Sequence, residues 1–136
     1  MNEVCCQKYS KELVNKVLND IKTCVRAGKY TVSLNENRIE NKIFIEEYNL
    51  YESKQKNILL GLKLEDFCCH VQNIKKGYEN ELLYIFAPKV GLYTIDGEEE
   101  LISIYLKFNI IKIKGNNVVI VVSFHKLNKP ITYAFI

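Results

Sequence analysis

No apolar run in the chain approaches the roughly 20 residues that a membrane-crossing helix needs. The most continuous stretch, residues 118–124, has the length of a strand. The opening Met-Asn-Glu-Val-Cys-Cys lacks a basic region followed by an apolar stretch, so no signal peptide is expected and the chain reads as cytoplasmic. Pro/Gly-rich linkers and internal repeats are also missing, which leaves one domain over residues 1–136. The sequence contains no Gly-rich phosphate loop, no nucleophile elbow and no zinc-protease helix, and several enzyme classes are removed with them. Cysteine is present but badly arranged for cross-linking. The five residues Cys5, Cys6, Cys24, Cys68 and Cys69 are odd in number and include two adjacent pairs, a poor basis for a disulfide framework. Adjacent cysteines rarely point at one ion, so Cys68-Cys69-His70 reads as thiols rather than a zinc site, and neither a metal nor a cofactor is expected.

The most informative shortage is of acid. Residues 101–136 contain no Asp or Glu, yet hold Lys107, Lys112, Lys114, Lys126 and Lys129 together with His125. A net charge of +3 over 136 residues is unremarkable. Five uncompensated lysines in one hairpin make a local field that suits a polyanion better than a neutral metabolite.

Hydrophobic period divides the chain. Over residues 11–27, Leu13, Val14, Val17, Leu18, Ile21, Cys24 and Val25 recur at helical spacing, with Ser10 placed to cap the start and Gly28 to stop the end. Residues 30–34 alternate as a short strand. Residues 38–50 favour a helix although 42–45 alone has strand character, residues 53–61 read as a helix, and 64–71 as a further helical turn. Glu65-Asp66 is read as helix capping rather than an acid/base pair.

After the Lys75-Lys76-Gly77 loop the period becomes two. Residues 81–88 and 101–109 read as strands with a turn at 96–100 between them, and 110–114 with 118–124 as a hairpin around Gly115-Asn116-Asn117. Helices followed by antiparallel strands predict an α+β domain with helices on one side of a twisted, mainly antiparallel sheet. Residues 1–9 are expected to be flexible and 127–136 to form a tail packing on the sheet.

Strand alternation puts Tyr105 and Lys107 together on the wetter face of their strand, and Val119, Val121, Ser123 and His125 together on theirs. If the strands are neighbours, Tyr105, Lys107, Ser123 and His125 converge. Such a group can cleave RNA without metal: a base takes the ribose 2′-OH proton, a cation stabilises the phosphorane, and an acid protonates the leaving 5′-oxygen. Histidine titrates near neutrality, so His125 is the candidate acid or base. Lys107 and Lys89 are candidate phosphate cations, and Tyr105 an acid, an orienting group or a stacking platform. The plainer readings are a strand-end histidine bonded to backbone, and lysines that solvate a sheet face and guard an edge.

The segments Ile-Leu-Leu-Gly-Leu-Lys-Leu-Glu-Asp-Phe (58–67), Leu-Tyr-Ile-Phe (83–86), Ile-Tyr-Leu-Lys (104–107) and Val-Ile-Val-Val-Ser-Phe-His (119–125) follow the helix and first strand in order. In order and spacing the chain resembles the MqsR family of toxins, small RelE-like ribonucleases of type II toxin–antitoxin systems. The likeness spans about residues 13–126, and the tail Pro-Ile-Thr-Tyr-Ala-Phe (130–135) is similar to that of one branch of the family. It implies a single RelE/MqsR-like domain, metal-independent cleavage of mRNA, growth arrest, and a cognate antitoxin, which in this family often carries a zinc-binding domain and a helix-turn-helix. Tyr105 matches the family's active-site tyrosine, and His125 stands where the best-studied form has lysine. The family's other lysine and its glutamine fall near Cys69 and Pro88 and are not kept, so Lys89 and Lys107 stand in for them. Ser123, Lys112, Lys114, Lys126 and Lys129 are the expected RNA contacts.

Overall fold

The computed structural model describes residues 8–135. Most of the expected flexible segment (residues 1–7) and the Cys5-Cys6 pair lie outside the described residues. The first helix, α1 (Lys11–Arg26), is capped by Ser10, whose hydroxyl accepts from the Leu13 N–H, and it ends where Gly28 adopts φ +72°. Val14, Leu18, Ile21, Cys24 and Val25 form its buried stripe, whereas Leu13 is 67% exposed and falls outside it. A three-residue strand, β1 (Tyr30–Val32), precedes α2 (Ile39–Tyr48) and α3 (Ser53–Leu60). Five further strands follow: β2 (Phe67–Gln72), β3 (Leu82–Phe86), β4 (Lys89–Tyr93), β5 (Glu99–Ile113) and β6 (Asn116–Lys126).

Among the described residues the fold is α+β, with three α-helices and one open, six-stranded mixed sheet. The strand order is β1-β6-β5-β3-β2, and β4 pairs with the first part of β5. Among the described residues only the β1–β6 pairing is parallel. The helices share one core with one sheet face, where Phe44, Leu59, Phe86, Leu106, Phe108 and Phe124 are buried. Cys68, Cys69, Ile85, Ala87 and Tyr105 form a smaller cluster on the other face, against Leu127, Ile131 and Tyr133 of the tail. The tail is fixed there by Leu127 N–H to the Ser103 carbonyl, Ala134 N–H to the Phe67 carbonyl and Tyr133 Oη–H to the Ala87 carbonyl at 2.7 Å. Tyr9 packs edge-on against Phe67 and His70, and its hydroxyl accepts from the His70 backbone N–H. The edge strand β2 therefore has backbone bonds to both ends of the described chain.

Three expectations about elements are corrected. Residues 64–71 are a single 3₁₀ turn (Leu64–Asp66) followed by strand β2, not a helical turn. The Asp66 carboxylate accepts from the Lys63 N–H at 2.9 Å and closes that turn. A bulge between Phe67 and Cys69 then lets three successive side chains, Phe67, Cys68 and Cys69, be buried in an extended chain. The turn expected at 96–100 is shorter, and a strand without a sequence signal precedes it: β5 begins at Glu99, β4 pairs with Glu99–Ser103, and Val90 and Leu92 point to the core on either side of Gly91. The strands expected at 101–109 and 110–114 are one uninterrupted β5, long enough to pair with three neighbours.

Tyr30, Tyr84 and Tyr133 have phenol pKa values raised above the ordinary one, in each case first by burial and then by nearby charge. A raised folded-state value means that the native state holds its phenol protons longer than the unfolded chain does. Stability should therefore be unaffected by these groups below pH ~10 and fall as pH rises above it. Urea midpoints at pH 8, 9, 10 and 11 measure this; a midpoint unchanged to pH 11 would contradict it.

Candidate functional site

The site begins with a defect in β6. Val121 pairs with Phe108 but Ser123 pairs with Lys107, so Val122 is an extra residue in the ladder. Before the bulge Val119 and Val121 face the helices, and after it Phe124 does. Ser123 and His125 consequently face the opposite side, which corrects the expectation that Val119, Val121, Ser123 and His125 share a face. Asn41 of α2, only 1% exposed, holds the bulge. Its Nδ2 donates to the Val122 and Ser33 carbonyls at 3.0 and 2.9 Å, and its Oδ1 accepts from the Phe124 N–H at 2.8 Å. One buried side chain thus satisfies three backbone groups that the bulge and the end of β1 leave outside the ladder.

The register beyond the bulge puts Tyr105 opposite His125 and Lys107 opposite Ser123. The His125 ring stacks on the Tyr105 ring with centroids 5.4 Å apart and 25° between planes. The ammonium groups of Lys107 and Lys129 stand 5.6 and 4.7 Å from the same Tyr105 ring centroid. One ring therefore gathers a histidine and two lysines from β5, β6 and the tail. Tyr105 is only 2% exposed, not on a wetter face, because the tail covers that side of the sheet. Its ring is a floor for the cationic groups rather than an open stacking platform.

His125 keeps 13% of its side chain exposed. Its Nδ1 lies 2.8 Å from the Lys126 carbonyl oxygen, and a carbonyl can only accept, so Nδ1 carries the proton. Nε2 is then the basic position of the ring. The backbone bond anticipated for a strand-end histidine is thus present, and it fixes the tautomer. The Glu40 carboxylate stands 4.0 Å from Nδ1 and accepts from Asn128 Nδ2 at 2.8 Å. Neither Glu40 nor Asn128 carries a sequence signal, since both are exposed polar residues of common kinds.

The other candidates disperse. Ser123 is 3% exposed, below the surface beside Lys107. Lys126 follows His125 onto the helix face, where it meets the Glu47 carboxylate at 3.4 Å and the Tyr48 ring at 5.0 Å. Its pKa is raised, first by hydrogen bonding to Tyr48, while burial opposes the rise. Lys112 pairs with Asn117 near the far end of the hairpin, on the strand parity opposite to Lys107, and Lys114 sits in the turn at φ +52°. Lys89 pairs with Ser103 and borders a depression between α3 and β4. Near Cys69 and Pro88, where the family's lysine and glutamine would fall, Cys69 and Pro88 are themselves buried. His70 is held between Tyr9 and Tyr84, both edge-on, away from His125. Among the described residues no group of three or more His, Cys, Asp or Glu is placed to hold a metal, and no helix is long and apolar enough to cross a membrane.

No family model, no curated protein and no solved structure matches the chain. The site's chemistry therefore rests on its own geometry.

Proposed function

We propose that this protein is a metal-independent endoribonuclease of the MqsR/RelE-like kind, acting as the toxin of a type II toxin–antitoxin pair in the cytoplasm. The observation that carries the reading is the joint placement of His125, Lys107 and Lys129 on the Tyr105 ring. In this reading His125 Nε2 takes the proton of a ribose 2′-OH and the 2′-oxygen attacks the adjacent phosphorus. Lys107 and Lys129 hold the non-bridging oxygens as charge builds. The bond from phosphorus to the 5′-oxygen breaks, a lysine ammonium protonates that oxygen, and the products end in a 2′,3′-cyclic phosphate and a 5′-hydroxyl. Tyr105 orients the imidazole. Lys112 and Lys114 lie at the far end of the hairpin, away from this face, so the mRNA backbone is held here by Lys107 and Lys129, and the neutralising partner is an antitoxin protein with a zinc-binding domain and a helix-turn-helix.

The reading is tested by incubating RNA with the protein in EDTA and characterising the new ends. Cyclic phosphate ends are expected, with cleavage reduced about 100-fold or more in His125→Ala. Metal-dependent cutting, or full activity in folded His125→Ala, would refute the assignment. The burial of Tyr105 and the small exposure of His125 favour one second reading, a non-catalytic protein that holds RNA, or a protein partner, through the same basic face. Folded protein that binds RNA with strong salt dependence and never cuts it would select that reading.

A further inference from the structure

The hydrogen bonds of the β4–β5 pair fix which backbone groups of β4 it uses. Ile104 N–H donates to the Pro88 carbonyl and Thr94 N–H to the Glu98 carbonyl, each at 2.9 Å. With Lys89 opposite Ser103, the alternation of an antiparallel ladder makes Val90 with Ile102 and Leu92 with Glu100 the bonded pairs. The N–H and C=O groups of Lys89, Gly91 and Tyr93 therefore point away from β5. Among the described residues β4 has no strand on that side, and no backbone bond outside the ladder uses those groups. Open edges are ordinarily guarded by charge, proline or a covering element; β4 has only Lys89, at its start.

A depression of about 430 Å³ runs along this edge. A hollow on one face of a strand is lined by alternate residues, whereas all five residues of β4 line this one. Its other wall is α3 with Gly61, and the buried Leu50, Ile58 and Leu92 form an apolar floor on the helix side. Gly61 and Gly91 are both exposed, so neither puts a side chain in the way of an approaching backbone.

The register places Lys89 and Tyr93 on the sheet side opposite to Val90 and Leu92. A compact ligand reaches one of those sides. An extended segment paired with β4 reaches both, because its side chains alternate as those of β4 do. Charge selects the kind of segment. Lys54 and Lys63 border the helix side and Lys89 the other; all three are exposed, and among the described residues none makes a salt bridge. The two nearby carboxylates are engaged, Asp66 with the Lys63 N–H and Glu99 with the Tyr93 hydroxyl. A second copy is a poor occupant. Antiparallel pairing of β4 with its own copy would set both α3 helices, each with Lys54, on one side of the joined sheet about the twofold axis.

We propose that the outer edge of β4 is a docking site for an extended, acidic segment of a protein partner, which adds a strand to the sheet and turns apolar side chains onto Leu50, Ile58 and Leu92. The site lies across β5 from the His125 group and does not depend on RNA cleavage.

The test is NMR titration of the full-length protein with a blocked peptide of alternating glutamate and valine, about nine residues long. Saturable binding with Kd below about 1 mM is expected. Hydrogen exchange should slow at the Lys89, Gly91 and Tyr93 amides and change little at Val90 and Leu92, which β5 already holds. N-methylation of one alternate set of peptide residues should weaken binding about tenfold or more, and of the other set much less, because only one set faces β4. Gly91→Pro removes a donor that the ladder does not use; it should weaken binding about tenfold or more while the urea midpoint stays near the parent's. Lys54→Glu/Lys89→Glu should weaken it about tenfold as well. The proposal is overturned if the peptide does not saturate, if a lysine-for-glutamate peptide binds equally, or if the two N-methylated sets behave alike. It is also overturned if the protein sediments as a dimer that Gly91→Pro dissociates, since the edge then belongs to a second copy.

Discussion

Asn41→Ala is expected to lower stability by about 3–5 kcal/mol, a large loss for a change that removes no apolar core atom. The side chain is 1% exposed and makes three hydrogen bonds, all to backbone. Deleting it orphans the Ser33 and Val122 carbonyls and the Phe124 N–H together. Each buried polar group left without a partner costs roughly 1–3 kcal/mol, less where the void admits water. Lys42→Ala, at the next, exposed position of α2, should fall within about 0.5 kcal/mol of the parent. Urea unfolding of the two variants measures the difference. A loss below about 1 kcal/mol for Asn41→Ala would mean that the bulge is held by strand pairing alone. Because Asn41 fixes the residues on either side of Ser123, the variant should also loosen the stacking of His125 on Tyr105. The His125 ring proton shifts, read by NMR against the parent, report that movement directly.

Tyr105→Ala should cost a similar amount, about 3–5 kcal/mol, through a different mechanism. Here the loss is volume: the phenol is among the largest fully buried side chains and packs with Ile85, Ala87 and the tail residues Leu127, Ile131 and Tyr133. The cavity also removes the ring that Lys107, Lys129 and His125 share. Loss of activity in this variant would thus carry no information about chemistry. Tyr105→Phe is the informative change, since it keeps the buried ring and removes only the hydroxyl, at a cost of about 0.5–1.5 kcal/mol. If Tyr105 only orients His125, Tyr105→Phe should cut RNA nearly as fast as the parent; a loss of about 100-fold with intact fold would give the phenol a direct proton-transfer role. Thermal melts of Tyr105→Ala and Tyr105→Phe side by side check the stability half, and near-equal midpoints would contradict the packing argument.

These two residues differ in how far sequence could reveal them. Tyr105 stood out as a polar aromatic in an alternating strand, and alternation correctly joined it to Lys107. Alternation could not say whether that face was wet, because the answer depended on a tail more than twenty residues further along. Asn41 gave no signal at all: it is one asparagine in a short amphipathic segment, and its partners lie 8, 81 and 83 residues away. The spread of the lysines has the same origin. Residues 101–136 announce their charge as composition, but Lys126 and Lys112 are parted from Lys107 by strand parity, and Lys89 by the path of β4.

What the sequence determined by itself was local. The 3.6-residue period with Ser10 and Gly28 set α1, the change to period two set the long hairpin, and together they gave an α+β domain. Those signals are legible because they depend on neighbours within a turn or a pleat. The tertiary structure decided everything that needed a partner from elsewhere in the chain. Residues 67–72 became strand because β3 was there to pair with them, overriding a spacing that also fits a helix. The bulge at Val122 reversed the facing of Ser123 and His125, since a single extra residue in a ladder of period two moves every later side chain to the other face. That one-residue shift, held by Asn41, put His125 against Tyr105.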